Sequence, residues 1–285
     1  YSAACKLCHW YSACLEQLQN QDDLTLIPEL GRSKRDSLVD TIPTMAAMAT
    51  SDVESFIEGK KTQFPGIGPD SLRKFQVRAA LNKEESPKPF LKTALNLPQS
   101  ENELFFDIEV NPMSDFCYLH GFIQRKNHDN QTEKYFGFFS EEISEAAEEQ
   151  CFAEAYSFIL QQRPCAIYYY SKYERTIWRR LQKKYPQVCD AEDIEALFQN
   201  PFTIDLYEVV RRTTEWPTRD YSIKTLAKYL GFQWRDTNPS GAASIEWFDR
   251  WEKSRDAQTK NRILDYNEDD CIATRVLLDG LEKLY

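Results

Sequence analysis

Up to about residue 82 the apolar positions come in short clusters separated by turn residues, and beyond residue 100 they lengthen into alternating runs. The alternation predicts strands at Leu104–Val110, Phe116–Arg125 and Lys134–Phe139, with His128-Asp129-Asn130-Gln131 as the turn between the last two. Connections this short make the three strands antiparallel neighbours. A helix is predicted over Glu142–Gln161, then a fourth strand at Ala166–Tyr170 and a helix over Ser171–Lys184. A fifth strand around Phe202–Leu206 precedes helices at Ser222–Leu230, Ser244–Arg255 and Thr259–Leu284. The expected fold is therefore α/β, a mixed five-stranded sheet flanked by helices.

Residues 24–82 read instead as a small all-α domain, and residues 83–100, with Pro87, Pro89 and Pro98, read as a linker. Leu26-Ile27-Pro28-Glu29-Leu30-Gly31 and Phe64-Pro65-Gly66-Ile67-Gly68 each lead into a helical stretch, and Pro69 suits a helix start. The pair resembles helix-hairpin-helix units, the second more closely than the first. That resemblance implies a turn at Gly66 and Gly68 whose backbone N–H groups take a phosphate. Glycine would be required there for backbone freedom and for close approach.

Composition is that of an ordinary globular chain of 285 residues. No stretch approaches the roughly 20 apolar residues of a membrane span and no secretory signal opens the chain, so a cytoplasmic protein without membrane contact is expected. The net charge of −10 is unevenly spread: residues 1–95 carry 12 basic and 12 acidic groups, the rest 23 and 33. That balance argues against tight nonspecific coating of DNA, although carboxylates that hold cations are partly neutralised by them. Of eight cysteines, Cys117, Cys151, Cys165, Cys189 and Cys271 are scattered in mostly apolar surroundings and read as small core hydrophobes. Cys5, Cys8 and Cys14 cluster, at a spacing common to zinc and iron–sulfur sites.

Two pairs of side chains carry the candidate chemistry. Asp107 and Glu109 follow Leu104-Phe105-Phe106, and residues i and i+2 of a strand share a face. Tyr266 and Asp270 stand four apart in a late helix and also share a face. Oxygen clusters of this kind suit hard divalent cations, Mg²⁺ or Mn²⁺, and phosphodiester hydrolysis. Taken singly, Asp270 is an ordinary acid beside Glu268 and Asp269, and Asp107 could be the solvated face of an edge strand. The strand-and-helix order around both pairs decides for function.

Over residues 101–285 that order resembles the DnaQ-like, RNase H-fold 3′–5′ exonucleases of the DEDDy class. The motifs are Phe106-Asp107-Ile108-Glu109, Tyr169-Tyr170-Ser171-Lys172-Tyr173-Glu174 and Tyr266-x3-Asp270. In the second, Glu174 stands where the family carries Asp. Asp205 falls where such enzymes often carry an Asp-Thr pair, outside the metal shell. The resemblance implies two ions bridged by Asp107, with Glu109, Glu174 and Asp270 completing the shells and Tyr266 orienting the attacking water. It also implies nucleic acid as the partner, DNA ahead of RNA.

The whole chain resembles the C-terminal part of a RecB-family nuclease. On that resemblance residues 1–23 are the cysteine-cluster tail of an upstream RecB-type nuclease domain, and the chain, opening at Tyr1, is a fragment. Cys5, Cys8 and Cys14 match three iron–sulfur ligands whose fourth lies upstream, so a [4Fe–4S] cluster is expected in the full-length protein alone. The alternative reading is a nucleic-acid-binding module with a degenerate site inside a helicase–nuclease assembly, which the Glu174 replacement and the acidic charge favour.

Overall fold

The structure, a computed structural model, describes residues 1, 5, 8, 10–237 and 240–284. His9 lies outside the described residues. The chain forms two compact units, one of Tyr1–Ala94 and Arg211–Leu226 with Leu284, the other of Leu95–Val210 and Ala227–Lys283. The sequence boundary at 101–285 therefore misses an excursion: sixteen residues in the middle of the expected nuclease domain belong to the first unit.

In the first unit, helices Tyr11–Asn20 (α1), Gly31–Leu38 (α2) and Met45–Thr50 (α3) precede a ladder of Ile57–Glu58 (β1) with Lys61–Thr62 (β2). Helix Pro69–Lys83 (α4) and strand Phe90–Leu91 (β3) follow. Leu24, Leu38, Met48, Phe64, Leu72 and Phe75 fill its core. The all-α expectation is corrected in two places, by the β1–β2 ladder and by β3, which lies in the predicted linker and pairs with Thr214–Glu215. Gly66 takes φ +77°, a conformation that favours glycine. Gly68 is the N-cap of α4 at φ −83°, ψ 163°, an extended conformation open to any residue, and Pro69 follows it inside the helix.

In the second unit, strands Asn102–Asn111 (β4), Phe116–Lys126 (β5) and Asp129–Phe139 (β6) form an antiparallel meander. The β5–β6 connection is tighter than predicted: Asn127 and His128 both take positive φ, 55° and 56°, as a two-residue hairpin turn requires. Helix Glu145–Gln161 (α5) leads to strand Ala166–Tyr169 (β7), and helices Tyr173–Lys184 (α6) and Ala191–Gln199 (α7) lead to strand Thr203–Asp205 (β8). Helix Leu206–Thr213 (α8), strand Thr214–Glu215 (β9) and helix Ile223–Tyr229 (α9) come next, before Gly241–Ser254 (α10) and Ala257–Leu281 (α11). The sheet order is β6-β5-β4-β7-β8, with β7 and β8 parallel to β4.

The strong alternation in β4 divides the sheet into two faces. Leu104, Phe106, Ile108 and Val110 enter a core with Phe152 and Phe158 of α5, Trp178 of α6 and Phe198 of α7. Phe106 stacks on Phe122 at 4.7 Å between ring centroids and meets Trp178 edge-on at 5.1 Å. Aromatic contacts of this kind add to the area they bury. Glu103, Phe105, Asp107 and Glu109 occupy the other face of β4, where α11 packs. Four of the five scattered cysteines, all but the half-buried Cys165, are buried free thiols as expected.

Candidate metal centre and active site

Asp107 and Glu109 reach one side of β4 just before its pairing with β5 shifts register between Glu109 and Val110. A bulge at that point bends the strand and re-aims its end, a common device beside functional sites. Helix α11 supplies the other half. Its buried residues Ile263, Tyr266, Cys271, Thr274 and Leu278 recur every three to five positions, which turns the Tyr266–Asp270 face to the sheet. One carboxylate oxygen each from Asp107, Glu109 and Asp270 lies within 4.8 Å of the others. They line a cleft of about 210 Å³ whose walls include Val110, Pro112, Tyr173 and Ile245.

Each of the three accepts a hydrogen bond from a neutral donor. Asn267 Nδ2 donates to Asp107 Oδ2 at 2.8 Å, Trp234 Nε1 to Asp270 Oδ1 at 2.7 Å, and the Tyr118 hydroxyl to Glu109 Oε2 at 3.4 Å. Tyr118 is itself bonded to Ser244 Oγ at 2.8 Å. Such donors fix an oxygen in place while leaving its charge to attract a cation. The ambiguity among Glu268, Asp269 and Asp270 is resolved by Arg235. Its side chain binds Glu268 at 2.7 Å and Asp269 at 2.9 Å, whereas Asp270 faces the cleft.

Tyr266 is buried and its hydroxyl bonds Asp270. Burial first, then the charges of Asp270, Glu109 and Asp107, push its phenol far above the ordinary value, so it stays protonated and acts as a donor. Glu174 stands apart from the trio. It opens α6, is 3 % exposed, and its Oε2 has no hydrogen-bond partner. Burial, followed by the charges of Asp205 and Asp270, raises its carboxyl well above the usual range. An orphaned buried oxygen close enough to Asp270 to feel its charge, beside three clustered carboxylates, is a donor set that fits hard divalent cations. The structure contains no ion.

Asp205 has a structural role. Its Oδ1 accepts from the backbone N–H of Tyr207 at 3.0 Å at the start of α8 and from that of Ser171 at 2.9 Å. It thus pins the β7–α6 turn, where Ser171 adopts φ +92°. Cys5 is half-buried and Cys8 and Cys14 are exposed, and no metal-sized grouping among the described residues includes them.

Asn267, Trp234, Tyr118 and Tyr135 escaped the sequence reading. Asn267 lies inside the Tyr-x3-Asp motif, and isolated glycines at Gly121 and Gly137 inside predicted strands were the available signal, since such glycines mark close approach.

No curated protein and no solved structure matches the chain. A family model described as the RNase_H superfamily matches residues 104–282, which takes in the five-stranded sheet from the third residue of β4 onward and the acidic cluster. The mixed sheet and this match, covering more than half of the sequence, place the chain in the RNase_H superfamily.

Proposed function

We propose that the chain is a divalent-metal-dependent 3′–5′ exonuclease that hydrolyses phosphodiester bonds of nucleic acid, DNA ahead of RNA. The observation that carries this reading is the meeting of Asp107, Glu109 and Asp270 within 4.8 Å on a strand and a helix far apart in the chain. Asp107, Glu109 and Asp270 would hold the ions, with the Glu174 carboxylate adding a ligand on losing its proton. Bound there, Mg²⁺ or Mn²⁺ would lower the pKa of an attacking water and offset charge on the leaving oxygen. The chain's own residues orient and exclude. Tyr266, protonated and donating to Asp270, turns its oxygen lone pairs to the cleft and positions water as an acceptor. Tyr173, 46 % exposed at the cleft wall, offers a ring to a terminal base.

The same reading assigns the turn at Gly66 and Gly68 to phosphate contact. It keeps the domain layout of a cysteine tail, a helix-hairpin-helix segment and an exonuclease domain within a RecB-family protein. Cys5, Cys8 and Cys14 would need a further ligand from an upstream segment. A second reading, a binding module with a degenerate site, is favoured by Glu174 standing outside the trio.

The test is cleavage of end-labelled single- and double-stranded DNA and RNA with and without Mg²⁺. Mg²⁺-dependent release of mononucleotides from 3′ ends is expected. Asp107→Asn or Asp270→Asn should abolish it while leaving the melting curve intact, and Tyr266→Phe should slow turnover with metal affinity nearly unchanged. Metal-independent binding without cleavage would favour the second reading, and Asp107→Asn as active as the parent would overturn the assignment.

A further inference from the structure

A cross-strand row on the site face of the sheet has an unusual composition. Asp107 of β4 pairs with Gly121 of β5, and Gly121 pairs with Gly137 of β6. Partners directly opposite one another project to the same face, so two missing side chains leave a trough running away from Asp107. The trough is filled from elsewhere. The Tyr135 ring lies over Gly137, where a Cβ would come within 2.8 Å of its hydroxyl oxygen. The Asn267 amide lies over Gly121, where a Cβ would come within 1.6 Å of Asn267 Oδ1. Neither glycine has a positive φ. Space, and not backbone freedom, is what they supply.

The two fillers are joined. The Tyr135 hydroxyl donates to Asn267 Oδ1 at 2.8 Å, and Asn267 Nδ2 donates to Asp107 Oδ2 at 2.8 Å. An amide reads ambiguously by itself, because its two ends are nearly isosteric. Here the Asp107 carboxylate can only accept, so the nitrogen end must face it, and the oxygen end is left to take the proton of the Tyr135 phenol. Asn267 has no exposed surface, and a buried amide with both ends paired is held in one orientation.

We propose that Gly121, Gly137, Tyr135 and Asn267 form a positioning relay that fixes the Asp107 carboxylate for divalent metal. The proposal rests on the reading of Asp107 as a metal ligand. Asn267 and Tyr135 do not touch substrate or ion in this scheme. They act through Asp107, by delivering a neutral donor to one oxygen and so setting the direction of the other. Residues that support a metal ligand in this way typically change metal affinity by about 10- to 100-fold when removed.

The experiment measures Mn²⁺ affinity of the 285-residue chain by calorimetry or electron spin resonance, alongside melting temperature. Asn267→Ala should weaken Mn²⁺ binding about tenfold or more. Tyr135→Phe removes a single hydroxyl, keeps the ring over Gly137, and should cause a smaller loss at nearly the parent's melting temperature. In the double variant the two losses should not add, because the hydroxyl acts through the amide. A merely structural pair would shift the melting temperature and leave Mn²⁺ affinity alone. Tyr135→Phe or a folded Asn267→Ala binding Mn²⁺ like the parent, while Asp107→Asn binds poorly, would overturn the relay and spare the site. Asp107→Asn binding Mn²⁺ like the parent would instead remove the reading on which the relay rests.

Discussion

His120 lies on β5 with no exposed surface, and burial holds its imidazole down to about 3, from an ordinary value of 6.5. Trp178 Nε1 donates to its Nδ1 at 3.2 Å, so the neutral ring carries its proton on Nε2, 3.6 Å from Cys117 Sγ. The folded ring resists a proton that the unfolded chain accepts. Its contribution to stability is therefore complete above about pH 6.5 and is lost as pH falls from there toward 3, at about 1.4 kcal/mol per pH unit. Thermal melts of the parent between pH 7 and 4 should decline more steeply than those of His120→Gln, whose amide can still accept from Trp178. Equal slopes would mean that carboxylates alone set the acid limit. At this scale the site was half legible. Asp107, Glu109, Tyr266 and Asp270 declare themselves by spacing along one strand or one helix. Asn267 and Trp234 do not, because their partners lie 160 and 36 residues away and only the fold brings them near.

Among the elements, β4, β5 and β7 were legible because each has one or both faces buried, and the alternation or apolar run shows it. Helix α7 was passed over although Asp190 and Asp193 form a reciprocal cap at its start and Ile194, Leu197 and Phe198 share its buried face. Nine residues between a cysteine-containing turn and a strand gave too short a period to stand out. The excursion over residues 211–226 carries no signal in its own pattern that would assign it to the first unit. The turn before α4 separates two uses of glycine that the sequence could not. Gly66, at φ +77°, needs glycine for its backbone, so Gly66→Val should destabilise the chain by about 1–2 kcal/mol or more. Gly68 has ordinary dihedrals and open space where a Cβ would stand. Gly68→Val should therefore melt near the parent, weaken binding to a long duplex, and spare cleavage of a dinucleotide. Kinetic constants on the two substrates check this. Unchanged affinity for the duplex would show that the turn does not touch nucleic acid.

For the molecule as a whole, the division into units does not follow the chain. Residues 211–226 leave the second unit and complete the first one, where a buried ionic cluster fastens them. Arg78, with no exposed surface, donates through Nε to Glu215 Oε2 at 2.7 Å and through Nη1 to the Pro28 carbonyl at 2.8 Å. Lys92 Nζ reaches Glu215 Oε1 at 2.9 Å, the Tyr221 hydroxyl bonds Glu215, and the Arg78 guanidinium lies 5.0 Å from the Tyr221 ring centroid. Burial raises the Glu215 carboxyl, but Arg78, Tyr221 and Lys92 outweigh it and the net shift is downward. Removing one member of such a cluster strands a buried charge, at about 3–5 kcal/mol. A fragment of residues 101–285, the boundary that the sequence suggests, keeps Glu215, Trp216 and Tyr221 but lacks Arg78, Lys92 and β3. Its segment 211–226 should unfold locally and be cut by chymotrypsin after Tyr221 before any other site, Pro217 protecting the bond after Trp216. Arg78→Ala in the full chain should produce the same early cut at a lower rate, because β3 and Lys92 remain. A 101–285 fragment as resistant there as the parent would mean that the excursion keeps its structure without residues 1–94, and that the ionic cluster is dispensable to it.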